Sequence, residues 1–240
     1  LLPSPSGGAA GLPRIESPWL FMMNETLEKI EAKYLWDRGY TGVGVVVALL
    51  DTGIAKDHPN FYFPEDFVLP EWRLKNKIID EVDFTGEGPY DYHGRGTAVA
   101  HVIASTGRTG GRVLYYDYDT GEFKYGYISP EAAKGVAPGC FLMNVKCVDS
   151  AGDFYNSWVM AALIYSVMHG ADVIACSFAY EWWETIDPFA WAALYPVFYT
   201  IEWCIQNGAA VVFPAGDEGP GYGTIATPAN LCLLYTSDAA

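Results

Sequence analysis

Four short stretches bring polar side chains to places where chemistry can be done: LLDTGI at 49–54, DYHGRGTAVA at 91–100, ADVIACSFA at 171–179 and VVFPAGDEGP at 211–220. Asp51, Ser177 and Asp217 each stand at or near the end of an apolar run. A carboxylate in such a place can orient a partner's ring nitrogen. Arg95 stands between Gly94 and Gly96 in the second of the four. Guanidinium has a pKa above about 12 and no acceptor lone pair, so Arg95 cannot take a proton near neutral pH. It can form an ion pair with Asp51, which would keep an arrangement in place while ending base catalysis there. Ionised Asp217 accepts hydrogen bonds only, whereas a protonated Asp217 could donate.

These residues need elements to hold them. VGVVVALLD at 43–51 is a nearly continuous apolar run, the pattern of a strand buried on both faces. Similar strands are expected over 141–148, 171–179 and 209–217, and GRGTAVAHVIAS at 94–105 turns from glycines into a small-residue helix. Helices are expected over 22–38 and 156–169, the first capped by Asn24 or Thr26 with Leu27, Ile30 and Tyr34 on its apolar side. A tyrosine-rich hairpin is expected over 112–128 around Asp119–Gly121, and the aromatic stretch from Tyr180 to Gly208 supplies a loop and then a helix. If Trp182 and Trp183 lie on a strand, they cannot both face one core. Alternating strands and helices predict an α/β fold, a doubly wound and mostly parallel sheet. Ligands gather beyond the carboxyl ends of such strands, where Asp51, Ser177 and Asp217 fall.

The 240 residues fit one large α/β domain or part of something larger, and 51% hydrophobic content supports a core. A formal net charge of -15 argues against nucleic acid and anionic membranes as partners. No apolar run reaches the length of about 18 residues that a membrane span needs. Cys140, Cys147, Cys176, Cys204 and Cys232 match no zinc spacing and read mostly as small buried hydrophobes, and His58, His93, His101 and His169 do not cluster in sequence. Residues 1–21, opening LLPSPSGGAAGLP, read as a leader or linker, and 22–230 as the domain. Composition and register change after ATPAN, and CLLYTSDAA resembles a translated sequencing-library adapter, so 231–240 is expected to be a non-native tail.

The DTG at 51–53 resembles the aspartic-protease signature, in which two carboxylates share a proton, and Asp119–Gly121 is a second DTG. Ile54 stands where that family has Ser or Thr, and Tyr-Asp-Tyr rather than a buried strand precedes the second. A nucleotide-binding reading fails because DTGIAK stands where GxGxxG should follow the first strand. Five segments in order resemble the subtilisin-like serine proteases: GYTGVGVVVALLDTGIAKDHPNF, DYHGRGTAVA, GVAPGCFLMNVKCVD, ADVIACSFA and VVFPAGDEGP. The resemblance implies a subtilisin-like fold, incomplete at the C-terminus, and a Ser-His-Asp triad. Asp51 matches the triad aspartate, Arg95 the histidine and Asp217 the oxyanion asparagine, while Ser177 and Ala179 match the strand that pairs with substrate. That family commonly has glycine at the position of Ala179. The nucleophile's Gly-Thr-Ser-x-Ala-x-Pro segment has no match, since Ile225 follows the GT of GYGTIATPAN and Ser237 lies in the expected tail. Neither His93 nor His101 has the spacing to replace the base. The implied function is a serine endopeptidase acting through an acyl-enzyme, with this chain inactive as it stands. The alternative is a non-catalytic domain that binds peptides or partner proteins. The implied partners are peptide or protein substrates and the implied location is extracellular or the cell envelope. No cofactor is assigned, and calcium enters by resemblance only.

Overall fold

The computed structural model describes residues 22–64, 75–117, 120–180, 188–219, 221, 223–231 and 235–237. The apolar run around position 48 forms β1 (Val46–Asp51), buried along nearly all its length. A strand without a polar face must have a neighbour on each edge and a layer on each side, and β1 lies inside a six-stranded sheet. The other strands are β2 (Ile78–Asp83), β5 (Phe141–Lys146), β6 (Val173–Cys176), β7 (Ala210–Pro214) and β8 (Tyr235–Ser237), in the order β2-β5-β1-β6-β7-β8. Every pairing in this sheet is parallel. The register sets Asp51 beside Lys146 and Leu50 beside Cys176, which brings the carboxyl ends of three strands level.

Successive side chains of β1 point to opposite faces, so Leu50 and Leu49 feed two different cores. On one face Leu50, Ile174 and Phe213 pack under α4 (Asn156–Met168) and α5 (Pro188–Gln206) through Val159, Leu163 and Ile201. On the other face Leu49 and Leu142 meet Phe61 and the small side chains Ala100 and Ala104 of α3 (Arg95–Ala104). Cover on this second face thins beyond β1: Val173, Ala175, Ala210 and Val212 are only half-buried while the alternate residues of β6 and β7 are buried. Among the described residues no helix is long and apolar enough to cross a membrane.

Several elements differ from the sequence expectation. The helix over 22–38 is two, α1 (Met22–Lys29) and α2 (Ala32–Trp36), separated where Glu31 takes a left-handed φ of 56°. Leu27 and Ala32 are the residues buried there, whereas Ile30 and Tyr34 are exposed, so the break sacrifices little packing. The helix starts upstream of Asn24 and Thr26, so neither is its cap. β2 was not foreseen, because IIDEVD mixes apolar and acidic residues on an edge strand. β5, β6 and β7 stop two to three residues earlier than expected, at Lys146, Cys176 and Pro214. The hairpin forms as expected from β3 (Gly111–Asp117) and β4 (Glu122–Ile128), turning through Gly121 at φ 71°. Residues 1–21, Trp182, Trp183 and Asp119 lie outside the described residues. Within the expected tail, Tyr235–Ser237 pairs with the edge of β7.

Candidate active site

The sheet delivers Asp51 to the end of β1 with 1% of its surface exposed. Its Oδ1 accepts hydrogen bonds from the Thr52 amide at 2.7 Å and from Arg95 Nε at 2.9 Å, and its Oδ2 accepts one from the Ser177 hydroxyl. Three of the residues expected from sequence therefore meet on one buried carboxylate.

Arg95 arrives there because α3 is held hard against the loop after β1. Gly94 starts the helix with φ 96°, a conformation that favours glycine, and the Gly96 amide donates to Thr52 Oγ1 at 3.0 Å. A Cβ on Gly96 would lie 2.2 Å from the Gly53 carbonyl oxygen, so only glycine permits this approach. The brace behind both is Asp91, which the sequence reading passed over. Its Oδ1 accepts from Thr52 Oγ1 at 2.9 Å and from the His93 and Gly94 amides at 3.1 and 2.7 Å. Its Oδ2 accepts from the Thr97 amide at 2.8 Å and hydroxyl at 2.6 Å. Burial pushes the Asp91 carboxyl up, but these hydrogen bonds, led by Thr97, outweigh it and hold it below its ordinary value. The signal was available: an aspartate three residues before the helix-opening glycine is placed to satisfy free amides of the first turn.

The remaining candidates stand apart. His93 is exposed, and its amide is tied to Asp91. His101 faces away from Asp51, with Nδ1 2.9 Å from the Thr97 carbonyl oxygen and Nε2 3.0 Å from His58 Nδ1. Burial lowers the pKa of both His101 and His58. Both His93 and His101 thus do ordinary surface and packing work. Cys147, Cys176 and Cys204 are free and buried, and burial pushes the Cys147 and Cys176 thiols far up, so neither supplies a thiolate near neutral pH. Asp217 lies three residues past β7, exposed, with no hydrogen bond or ion pair among the described residues.

The Ser177–Tyr180 segment is pinned at both ends. The Ser177 amide donates to the Leu50 carbonyl at 3.4 Å, and Tyr180 exchanges two backbone bonds with Thr227 at 2.7 and 3.1 Å. Phe178 is buried against Phe154 and Phe213. The Ala179 amide and carbonyl take no part in that exchange. Among the described residues these groups have no partner. A groove of about 330 Å³ lies elsewhere, on the outer side of α5 among Tyr199, Glu202, Ile205 and Leu231, and is lined by none of the residues around Asp51.

The parallel sheet, the carboxylate at the end of β1 and the glycine-led helix beside it define an α/β domain with polar side chains gathered beyond the strand ends. Residues 42–232 match the model of the subtilase family, Peptidase S8, and the chain belongs to that family. It is 27% identical over 212 residues to the minor extracellular protease Vpr of Bacillus subtilis, covering 86% of this chain and 22% of that protein. It is 28% identical over 204 residues to the major intracellular serine protease of the same organism, covering 82% of this chain and 50% of that protein. It is 26% identical over 227 residues to pyrolysin of Pyrococcus furiosus, covering 83% and 15% respectively. The chain thus spans half or less of each of these relatives, and their names include both extracellular and intracellular proteases.

Proposed function

We propose that this chain is a subtilisin-like serine endopeptidase domain that holds an extended peptide but, as this polypeptide, does not cleave it. The observation that carries the reading is the Arg95–Asp51 ion pair, set where the family keeps histidine against aspartate. Hydrolysis in this family begins when serine attacks the carbonyl while histidine takes its proton. A guanidinium cannot take that proton, and general base catalysis contributes roughly 10²–10⁴-fold in rate. Asp217, at the oxyanion position, offers a carboxylate where a donor is needed. No serine in the chain matches the nucleophile, since Ile225 follows Thr224 in the nearest segment.

What would hold the peptide is the backbone edge at Ala179. The backbone groups of Ala179, unpartnered among the described residues, can pair with an extended peptide, as an exposed strand edge does. The substrate is a peptide or protein, and the location, by resemblance, is extracellular or the cell envelope. No cofactor is assigned. Calcium enters by resemblance only.

The test is calorimetric titration of the purified 240-residue chain with an extended peptide, with product analysis by mass spectrometry. Binding without cleavage is expected. Hydrolysis that disappears in Asp51→Ala would overturn the inactive reading. A second reading, a lineage that binds peptides and never cleaves them, is favoured by Arg95 and Asp217 being replaced together. The coding sequence beyond residue 230 separates the two: a Gly-Thr-Ser-x-Ala-x-Pro segment there marks an enzyme lineage, and a substituted serine marks a binding module.

A further inference from the structure

The helix α5 carries more apolar surface than the core covers. Leu194, Val197, Ile201 and Cys204 face inward and are buried. Tyr195, Tyr199 and Trp203, four residues apart, form an exposed stripe on the outer side. A helix that is apolar all round is normally buried on every side, and this one is open along that stripe. Beside the stripe lies the groove of about 330 Å³, within the range of about 300–1,000 Å³ that small-molecule sites occupy. Tyr195, Phe198, Tyr199 and Ile205 line it from the helix, and Leu231 closes one side. Tyr195 and Phe198 meet edge to face at 71°, with ring centroids 6.3 Å apart, so they stand as two walls set at an angle.

One charge stands in this apolar setting. Glu202 lines the groove and is the only charged residue of α5. It is half-buried, and the uncharged Gln206 amide donates to its Oε1 at 3.2 Å. Among the described residues no Lys, Arg or His pairs with it. A carboxylate partly removed from water gains from a positive charge brought to it. Aromatic rings attract a cation through their faces as well.

The occupant is constrained by charge and by size. A second copy of the chain would bring another net charge of -15, and an anionic membrane would be repelled for the same reason. A neutral apolar molecule would leave Glu202 unpaired. We propose that this groove binds a small organic cation, an ammonium group carried on a single aromatic body. Glu202 takes the charge, and Tyr195, Phe198 and Tyr199 take the ring. The groove shares no residue with the surroundings of Asp51, so the proposal does not depend on whether the chain holds peptides.

The experiment is calorimetric titration of the purified chain, at low salt, with benzyltrimethylammonium, with benzyl alcohol and with tetramethylammonium. The first is expected to bind at least about tenfold more tightly than either of the others, because it alone brings both the ring and the charge. Glu202→Gln should remove its advantage over benzyl alcohol, and Tyr199→Ala should reduce its advantage over tetramethylammonium. Equal binding of the two ammonium ions would show attraction to the acidic surface at large and overturns the site. Equal binding of benzyltrimethylammonium and benzyl alcohol overturns the pairing with Glu202 and the proposal with it. No detectable binding of benzyltrimethylammonium overturns it as well. If either variant misfolds, the three-way comparison on the unaltered chain decides alone.

Discussion

The two acidic regions beyond the strand ends are built in opposite ways. Around Asp51 and Asp91 each carboxylate oxygen has at least one donor, and the backbone of α3 touches the backbone after β1. Around Asp217 the carboxylate is exposed and tied to nothing among the described residues. The first keeps a subtilase frame while presenting at residue 95 a side chain that cannot accept a proton near neutral pH. The second carries a carboxylate that nothing among the described residues fixes in place. The comparison teaches that support and chemistry separate: hydrogen bonds that hold the helix do not depend on which side chain residue 95 presents.

The contrast can be broken at the tight corner first. Gly96→Ala should cost about 3 kcal/mol in chemical denaturation, because its Cβ meets a backbone oxygen rather than a flexible side chain. A loss under 1 kcal/mol would mean that the helix can move away from the loop. Gly94→Ala, with nothing within 4 Å of the new Cβ but a φ of 96°, should cost only about 1 kcal/mol. Asp91→Ala should cost about 2–3 kcal/mol, since it strands the Gly94 and Thr97 amides and two hydroxyls at once.

Acid should act on the same corner. The folded-state pKa of Asp91 is held below its ordinary 3.8, and Asp83, bonded by Thr85, Gly86 and Gly88, is shifted the same way. A depressed carboxyl stabilises the fold above its unfolded pKa and loses that contribution as pH falls through the folded one. Stability should therefore drop below about pH 4, and Asp91→Asn should flatten part of the slope, as read from denaturation midpoints at pH 3, 4 and 6. The smallest effect belongs to the loose corner. Asp217→Asn should change stability by no more than about 0.5 kcal/mol, and a larger loss would reveal a contact there.

The strands were legible where the chain is apolar on both faces, as in β1 and β5, because burial there admits one reading. β2 was hidden because its acidic residues bond outward, Asp80 to the Tyr165 hydroxyl and Glu81 to Lys56, rather than following a simple alternation. The break at Glu31 was hidden for the opposite reason: its neighbourhood has the period of a helix and no glycine or proline to interrupt it. At the site, opposite charge made the Arg95–Asp51 pair readable in advance. The Ser177–Asp51 bond was not readable, since it depends on β6 lying next to β1, a neighbour relation that no local pattern encodes. Asp91 was readable from spacing but sat among more conspicuous residues.

The close approach of Gly96 to the Gly53 carbonyl has a consequence for the history and reuse of this site. It makes position 95 a socket whose orientation is set by its neighbours and not by its occupant. His and Arg codons can differ by a single nucleotide, so the exchange of a proton-accepting ring for a permanently charged fork is open in both directions. A lineage with such a socket can change the charge and proton chemistry presented beside Asp51 without rebuilding the helix that carries it, and a laboratory can attempt the same exchange.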